Sequence, residues 1–208
     1  MNYTYVAFLI FLSYLYGSIP FGLVIGKLWK GIDIRTLGSK NIGATNVLRT
    51  LGPGAAVFSF LGDLSKGVIA VSLGRLTGSD TICLLCGLTA IAGHNWSVFL
   101  RFSGGRGIST TIGVFIMLMP IETFIVLAIW GLVVLITRYV SLGSIVSIAS
   151  LPIQAYLFGR PNSFVLFSAL IAIMAIYKHR ANISRLLAGT EFKIGQRVDT
   201  DGSIKTGQ

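Results

Sequence analysis

Three polar stretches of this 208-residue chain hold residue types suited to handling phosphate. The first is Gly38-Ser39-Lys40-Asn41-Ile42-Gly43-Ala44-Thr45-Asn46-Val47-Leu48-Arg49. Its small residues, Gly43 among them, let a backbone approach an anion. Ser39, Thr45 and Asn46 offer donors, Asn41 stands beside them, and Lys40 and Arg49 add charge. Backbone N–H groups in such a loop, or at a helix start, suit phosphate. The Gly-Lys-Ser/Thr ending of a P-loop is missing. An ordinary basic loop would account for the charges but not for the density of Asn and Thr.

The second stretch runs from Gly93-His94-Asn95-Trp96-Ser97 through Ser103-Gly104-Gly105-Arg106-Gly107-Ile108-Ser109-Thr110-Thr111. Flexible backbone around one guanidinium can cradle an oxyanion or phosphate; a plain turn between helices is the alternative. His94 alone reads as a hydrogen-bonded loop histidine. The third is Tyr177-Lys178-His179-Arg180-Ala181-Asn182-Ile183-Ser184-Arg185, with Glu191 beyond. In a helix, His179, Asn182 and Arg185 share a face. Anchoring at a membrane surface explains the cations here, but not His179 or Asn182.

Two further features lie inside apolar runs. Asp63 and Lys66, three apart, are neighbours on one helical face. In hydrocarbon they must face the bundle or each other, in a structural pair or a functional one. Ser141 and Ser144 sit one turn apart, for helix packing or as donors to a ligand. Cys83 and Cys86 lie in an apolar run with no second pair, so they read as packing residues and not as a metal or redox site. The chain has no Ser-His-Asp set, no His-x-x-x-x-Asp and no cluster of metal ligands. A site rich in donors and poor in bases suits a donor that is already activated.

The elements that must position these residues are membrane helices. Of the residues 53% are hydrophobic and 12% charged, against about 25% charged in soluble domains, and the mean hydropathy is +0.80. Apolar runs cover Tyr3 to Trp29, Gly54 to Leu76, Asp80 to Gly93, Ile112 to Met119, Ile121 to Thr137, Val140 to Phe158 and Ser163 to Tyr177. Gly17-Ser18-Ile19-Pro20 should kink the first. Gly22 and Gly26 have the spacing that lets two helices meet closely. The fold class is therefore all-α: a polytopic membrane bundle of about seven transmembrane helices, the fourth run being short for a span.

With the amino end outside and the carboxyl end cytoplasmic, all but Arg75, Arg160 and Lys66 of the 17 lysines and arginines fall inside, as orientation by positive loops demands. The three polar stretches then share the cytoplasmic face. Because the cations are scattered between apolar runs, the net charge of +10 does not point to nucleic acid. Residues 1–194 read as one transmembrane domain and 195–208 as a polar, flexible cytoplasmic tail.

In this order the motifs resemble the bacterial acyl-phosphate:glycerol-3-phosphate acyltransferases, the PlsY family. The resemblance runs from about Tyr14 to Glu191. It takes in Gly17-Ser18-Ile19-Pro20-Phe21-Gly22, the three polar stretches, Asp63-Leu64-Ser65-Lys66-Gly67 and Ser141-Leu142-Gly143-Ser144. Lys40 stands where the family often has Gly, Arg106 where it usually has Lys, and Ser97 where Pro is common. Arg for Lys keeps the charge but replaces a point donor with a planar fork.

The resemblance implies transfer of a fatty acyl group from acyl phosphate to the first-carbon hydroxyl of glycerol 3-phosphate. The products are lysophosphatidate and phosphate, and the reaction belongs to phospholipid synthesis in the bacterial inner (cytoplasmic) membrane. The implied partners are acyl phosphate, glycerol 3-phosphate and membrane lipid, with no cofactor and no metal. Ser39, Arg49, His179 and Asn182 are expected to be catalytic. Lys40, Asn41, Gly43, Thr45, Asn46, Gly104, Gly105, Arg106, Gly107 and Ser144 are expected to bind substrate, and Asp63, Lys66 and Glu191 to be structural. A membrane transporter for a phosphate-bearing anion would also use basic loops and an intramembrane ion pair. The chain, however, shows no second half resembling the first.

Overall fold

Backbone groups inside a bilayer must be satisfied within the segment, which makes helices the economical solution for an apolar chain. The computed structural model describes residues 2–198 and 204–206. Among the described residues ten α-helices follow one another: α1 Tyr3–Ser18, α2 Phe21–Lys30, α3 Ala44–Leu51, α4 Pro53–Arg75, α5 Asp80–Asn95, α6 Ile108–Leu118, α7 Pro120–Thr137, α8 Val140–Leu157, α9 Asn162–Lys178 and α10 Arg180–Leu187. A 3-10 turn covers Val98–Leu100. Local sequence sets the boundaries. Pro20 divides α1 from α2 where the kink was expected. Pro53 and Pro120 open α4 and α7, where a missing N–H costs nothing.

Beyond α10, β1 Gln196–Val198 pairs antiparallel with β2 Ile204–Thr206. The expected flexible tail, 195–208, falls partly outside the described residues, since 199–203 and 207–208 are not among them.

Among the described residues, four helices or helix pairs are long and apolar enough to cross a bilayer: Tyr3–Lys30, Pro53–Arg75, Pro120–Thr137 and Val140–Leu157. A fifth arises if α9 and α10, bent by 58°, count as one span. The expectation of about seven is thus reduced to four or five by this measure. α5 has 16 residues and α6 has 11. At 1.5 Å per residue, the latter reaches only about half of a ~30 Å hydrocarbon core.

Helix ends segregate to two faces. On one face lie the 31–43 loop, α3, the 96–107 segment, Arg138 and residues 179–194. Here Ile194 N–H donates to Arg138 O at 2.8 Å, and Lys178 Nζ donates to Asn95 O at 2.7 Å. On the other face Arg160 clasps Glu122 at 2.6 and 2.9 Å. Arg75 reaches the Met117 carbonyl there.

Small residues bring backbones together, as in membrane bundles generally. A side chain at Gly17 or Gly93 would strike the partner backbone across α1 and α5, and one at Gly67 or Gly113 would do so across α4 and α6. Gly22 and Gly26 serve a different neighbour from the one their spacing suggests. They admit Ile42 and Ile34 of the 31–43 loop most closely, with Ser59 of α4 and Leu51 of α3 behind them. Cys83 and Cys86 are buried free thiols on α5. The main core joins Val114 and Phe115 of α6 to Ile148, Leu151, Phe167 and Ile171.

Candidate active site

The first polar stretch is shaped by Asn46. Its Oδ1 accepts from Ser39 N–H at 2.9 Å, and its Nδ2 donates to the carbonyls of Ile34, Leu37 and Asn41 at 3.0, 3.2 and 2.9 Å. Both ends of the amide are thereby committed to the loop, so Asn46 holds the loop in shape in place of the direct donor role expected for it. The loop delivers Gly43 as the N-cap of α3, with Thr45 and Arg49 one turn apart behind it. Arg49 stacks on the Phe192 ring at 4.4 Å, and its buried Nε has no protein partner. Lys40 turns away. It is exposed, and its φ of 57° lies in the left-handed region that favours glycine.

In the second stretch, Gly104 and Gly105 press on the end of α5. A side chain at Gly104 would meet the His94 carbonyl, and one at Gly105 would meet the His94 ring. Gly107, at φ 78°, ends the turn and begins α6. Arg106 projects between these glycines. Burial pushes its pKa down to about 10; Glu191 opposes that shift, while Arg185 and Arg49 reinforce it. Burial likewise lowers that of Arg49. Both remain cations at neutral pH, and neither forms an ion pair among the described residues. Positive charge therefore converges on this point in excess of the one carboxylate beside it.

Glu191 gathers the third stretch. Its Oε1 accepts from Asn182 Nδ2 at 2.6 Å and from Ser141 Oγ at 2.8 Å; its Oε2 accepts from Arg185 Nε at 2.7 Å. One carboxylate thus ties α8 to α10. With its Nδ2 so held, Asn182 keeps a buried Oδ1 without a partner. His179 follows the last residue of α9. Its Nδ1 lies 2.7 Å from the Ala175 carbonyl; a carbonyl only accepts, so Nδ1 carries the proton and Nε2 is left as an acceptor. Burial, helped by Arg106, pushes the His179 pKa down to about 4, so the ring is neutral at pH 7. Ser144 donates to Val140 O at 2.9 Å within its own helix.

These groups share one cavity of about 450 Å³. Its polar wall holds Ser39, Asn41, Gly43, Thr45, Asn46, Arg49, Arg106, Gly107, Ser144, His179, Asn182 and Glu191. Its apolar wall includes Val57 and Phe60 of α4, Leu127 and Trp130 of α7, and Ile148 of α8. Lys40, Gly104, Gly105 and Lys66 do not line it; Asp63 and His94 do. His94 is the member the sequence misplaced: it read as a loop histidine, whereas it stands in the last turn of α5 and reaches the cavity. Its place one residue after the small Gly93, ahead of a glycine-rich turn, was the available signal. Among the described residues no three His, Cys, Asp or Glu side chains converge as a metal site. The arrangement can hold two anionic groups beside an alkyl chain.

The comparisons converge on one family. The profile of the glycerol-3-phosphate acyltransferases matches residues 7–189. The chain is 52% identical to the glycerol-3-phosphate acyltransferase of Desulforudis audaxviator, over 92% of this chain and 97% of that one. It is 47% identical to that of Syntrophomonas wolfei, over 92% and 98%. It also resembles two crystal structures of PlsY, an integral membrane glycerol 3-phosphate acyltransferase. One is the glycerol 3-phosphate form (TM-score 0.87, 39% identity, 91% of this chain and 96% of that one). The other is the lysophosphatidic acid form (0.85, 38%, 91% and 95%).

Proposed function

This chain belongs to the glycerol-3-phosphate acyltransferase family and is an integral membrane enzyme that forms lysophosphatidate from glycerol 3-phosphate; we propose that its acyl donor is a fatty acyl phosphate and that transfer takes place in the cavity described above. The observation that carries this reading is the division of that cavity. Arg49, Arg106, His179 and Asn182 stand at its polar wall, and Val57, Phe60, Leu127 and Trp130 at its apolar one.

An acyl phosphate is a mixed anhydride, so positioning and charge stabilisation suffice for catalysis. Arg49 and Arg106 hold the two substrates' phosphates. The first-carbon hydroxyl of glycerol 3-phosphate attacks the acyl carbonyl, the new ester C–O bond forms, and the C–O bond to phosphate breaks. The phosphate leaves with the electron pair, and phosphate, whose second pKa is near 6, accepts the hydroxyl proton. Ser39 and Thr45 donate to phosphate or to the developing oxyanion, and Ser144 joins them when its hydroxyl turns from the Val140 carbonyl. His179 Nε2, an acceptor, holds glycerol 3-phosphate in register alongside Asn182. Glu191 keeps α8 and α10 in place. No serine or cysteine acyl-enzyme forms, and no cofactor is required.

The same reading puts the amino end outside, the carboxyl end in the cytoplasm and the cavity mouth at the cytoplasmic face of a bacterial inner membrane. The chain then traverses seven times, with α6 as a short traverse. Two observations support it: the helix ends sort into two faces, and the cations crowd one of them. Incubation of the purified protein in detergent with palmitoyl phosphate and glycerol 3-phosphate is expected to release phosphate and lysophosphatidate in equal amounts. Activity with palmitoyl-coenzyme A alone, and none with palmitoyl phosphate, would refute the donor assignment.

A further inference from the structure

Beneath the cavity lies a buried group that the proposed chemistry leaves idle. Asp63 and Lys66 of α4 meet His94 of α5, and all three are at most 2% exposed. Lys66 Nζ stands 2.7 Å from Asp63 Oδ1 and 3.2 Å from His94 Nδ1. Asp63 Oδ1 is 3.3 Å from the same ring nitrogen. The carboxylate thus meets both the ammonium group and the ring, and the ring nitrogen lies within hydrogen-bond reach of the ammonium as well. His94 Nδ1 faces this pair, and Nε2 forms the opposite tip of the ring.

That ring tip is where the glycine-rich turn rests. A methyl at Gly105 would overlap Nε2 and fall 2.9 Å from Cδ2. Gly105 N–H also donates to the His94 carbonyl at 3.0 Å. On the far side of the turn, Thr110 Oγ1 donates to the Asp63 carbonyl at 2.9 Å. The segment carrying Arg106 is thus hooked at both ends to the residues of the buried group.

We propose that His94 is a positioning residue for acyl transfer: Lys66, neutralised by Asp63, locks its ring against Gly105, and this contact sets the turn that aims Arg106 into the cavity. The role rests on the reading that Arg106 holds a substrate phosphate. A misplacement of about 1 Å at such a group can cost up to ~100-fold, so the seat of the turn is worth fixing with a rigid ring. The desolvation of Asp63 and Lys66 is the accompanying cost, and burying an ion pair is a poor way to gain stability alone.

The test combines Gly105→Ala with His94→Asn. The asparagine carbonyl can still take the Lys66 donor, but it presents no ring tip. Gly105→Ala alone should raise KM for a phosphate substrate on the order of tenfold or more. His94→Asn should raise the same KM by about tenfold with kcat within about threefold. In the His94→Asn background, Gly105→Ala should add less than about twofold, because the obstructing ring is gone. Equal damage from Gly105→Ala in both backgrounds, or a parental KM in His94→Asn, would overturn the positioning role.

If His94→Asn does not accumulate as folded protein, the paired change Asp63→Asn with Lys66→Met removes both charges and frees the ring. The same KM should then rise, and a parental value would overturn the role. Arg106→Ala is measured alongside. Parental constants there would overturn the phosphate site itself, and with it the reason for positioning the turn. A disabled Arg106→Ala beside an indifferent His94→Asn would overturn the positioning role alone.

Discussion

Replacement of Glu191 separates the two halves of its work. The carboxylate accepts three bonds, from Asn182 at 2.6 Å, Arg185 at 2.7 Å and Ser141 at 2.8 Å. Glu191→Gln keeps an amide oxygen for Asn182 and Ser141 but loses the charge that meets Arg185. A charge-assisted bond is worth about 1.5–3 kcal/mol. Because the Arg185 side chain is 30% exposed, solvent screening reduces this to about 1 kcal/mol. Glu191→Ala removes all three acceptors and leaves Asn182, 1% exposed, and Ser141, 5% exposed, as buried donors without partners. At about 1–3 kcal/mol for each stranded group, the total comes to about 4 kcal/mol. For a chain of this size, 1 kcal/mol moves Tm by about 2–4 °C. Thermal unfolding in detergent should therefore show a drop of about 2–4 °C for Gln and about 8–16 °C for Ala. Tm values for the two variants within about 2 °C of each other would refute the staple.

Arg49→Ala should lose most activity, because a charged contact to phosphate has no neutral substitute, and Arg106→Lys should retain more than Arg106→Ala; steady-state KM and kcat check both. His179, with its pKa lowered to about 4, stays neutral from pH 5.5 upward, so the rate profile should contain no ionisation near pH 6–7 that disappears in His179→Gln. The same lowering makes the unfolded chain, with an ordinary histidine near 6.5, bind more protons. Stability from this group is accordingly full above about pH 6.5 and is lost as pH falls toward 4, and unfolding measured across that window should be less pH-dependent in His179→Gln. Cysteines placed at 40 and 180 should resist impermeant reagents in intact cells and react once the membrane is opened; labelling from outside would invert the proposed orientation.

The sequence by itself determined the class of the protein and the chemistry of its loops. Apolar runs bounded by Pro20, Pro53 and Pro120 dictate helices whatever surrounds them, because backbone satisfaction and the missing proline N–H act locally. The donor-rich stretches around Thr45, Arg106 and His179 raised the expectation of phosphate for the same reason: residue type fixes what a side chain can donate. Tertiary structure alone decided who faces whom. Asn46 looked like a ligand donor, yet its amide holds the 31–43 loop; Lys40 looked like a phosphate contact, yet its left-handed backbone sets it outside the cavity. Gly22 and Gly26 looked like a helix seam, and the nearest neighbour they admit is the 31–43 loop. Asp63, Lys66 and His94 meet across two helices, with Lys66 and His94 28 positions apart in sequence, a convergence that no local pattern encodes. Spacing along one helix fixes which residues share a face, but the partner of that face is chosen by how the helices pack.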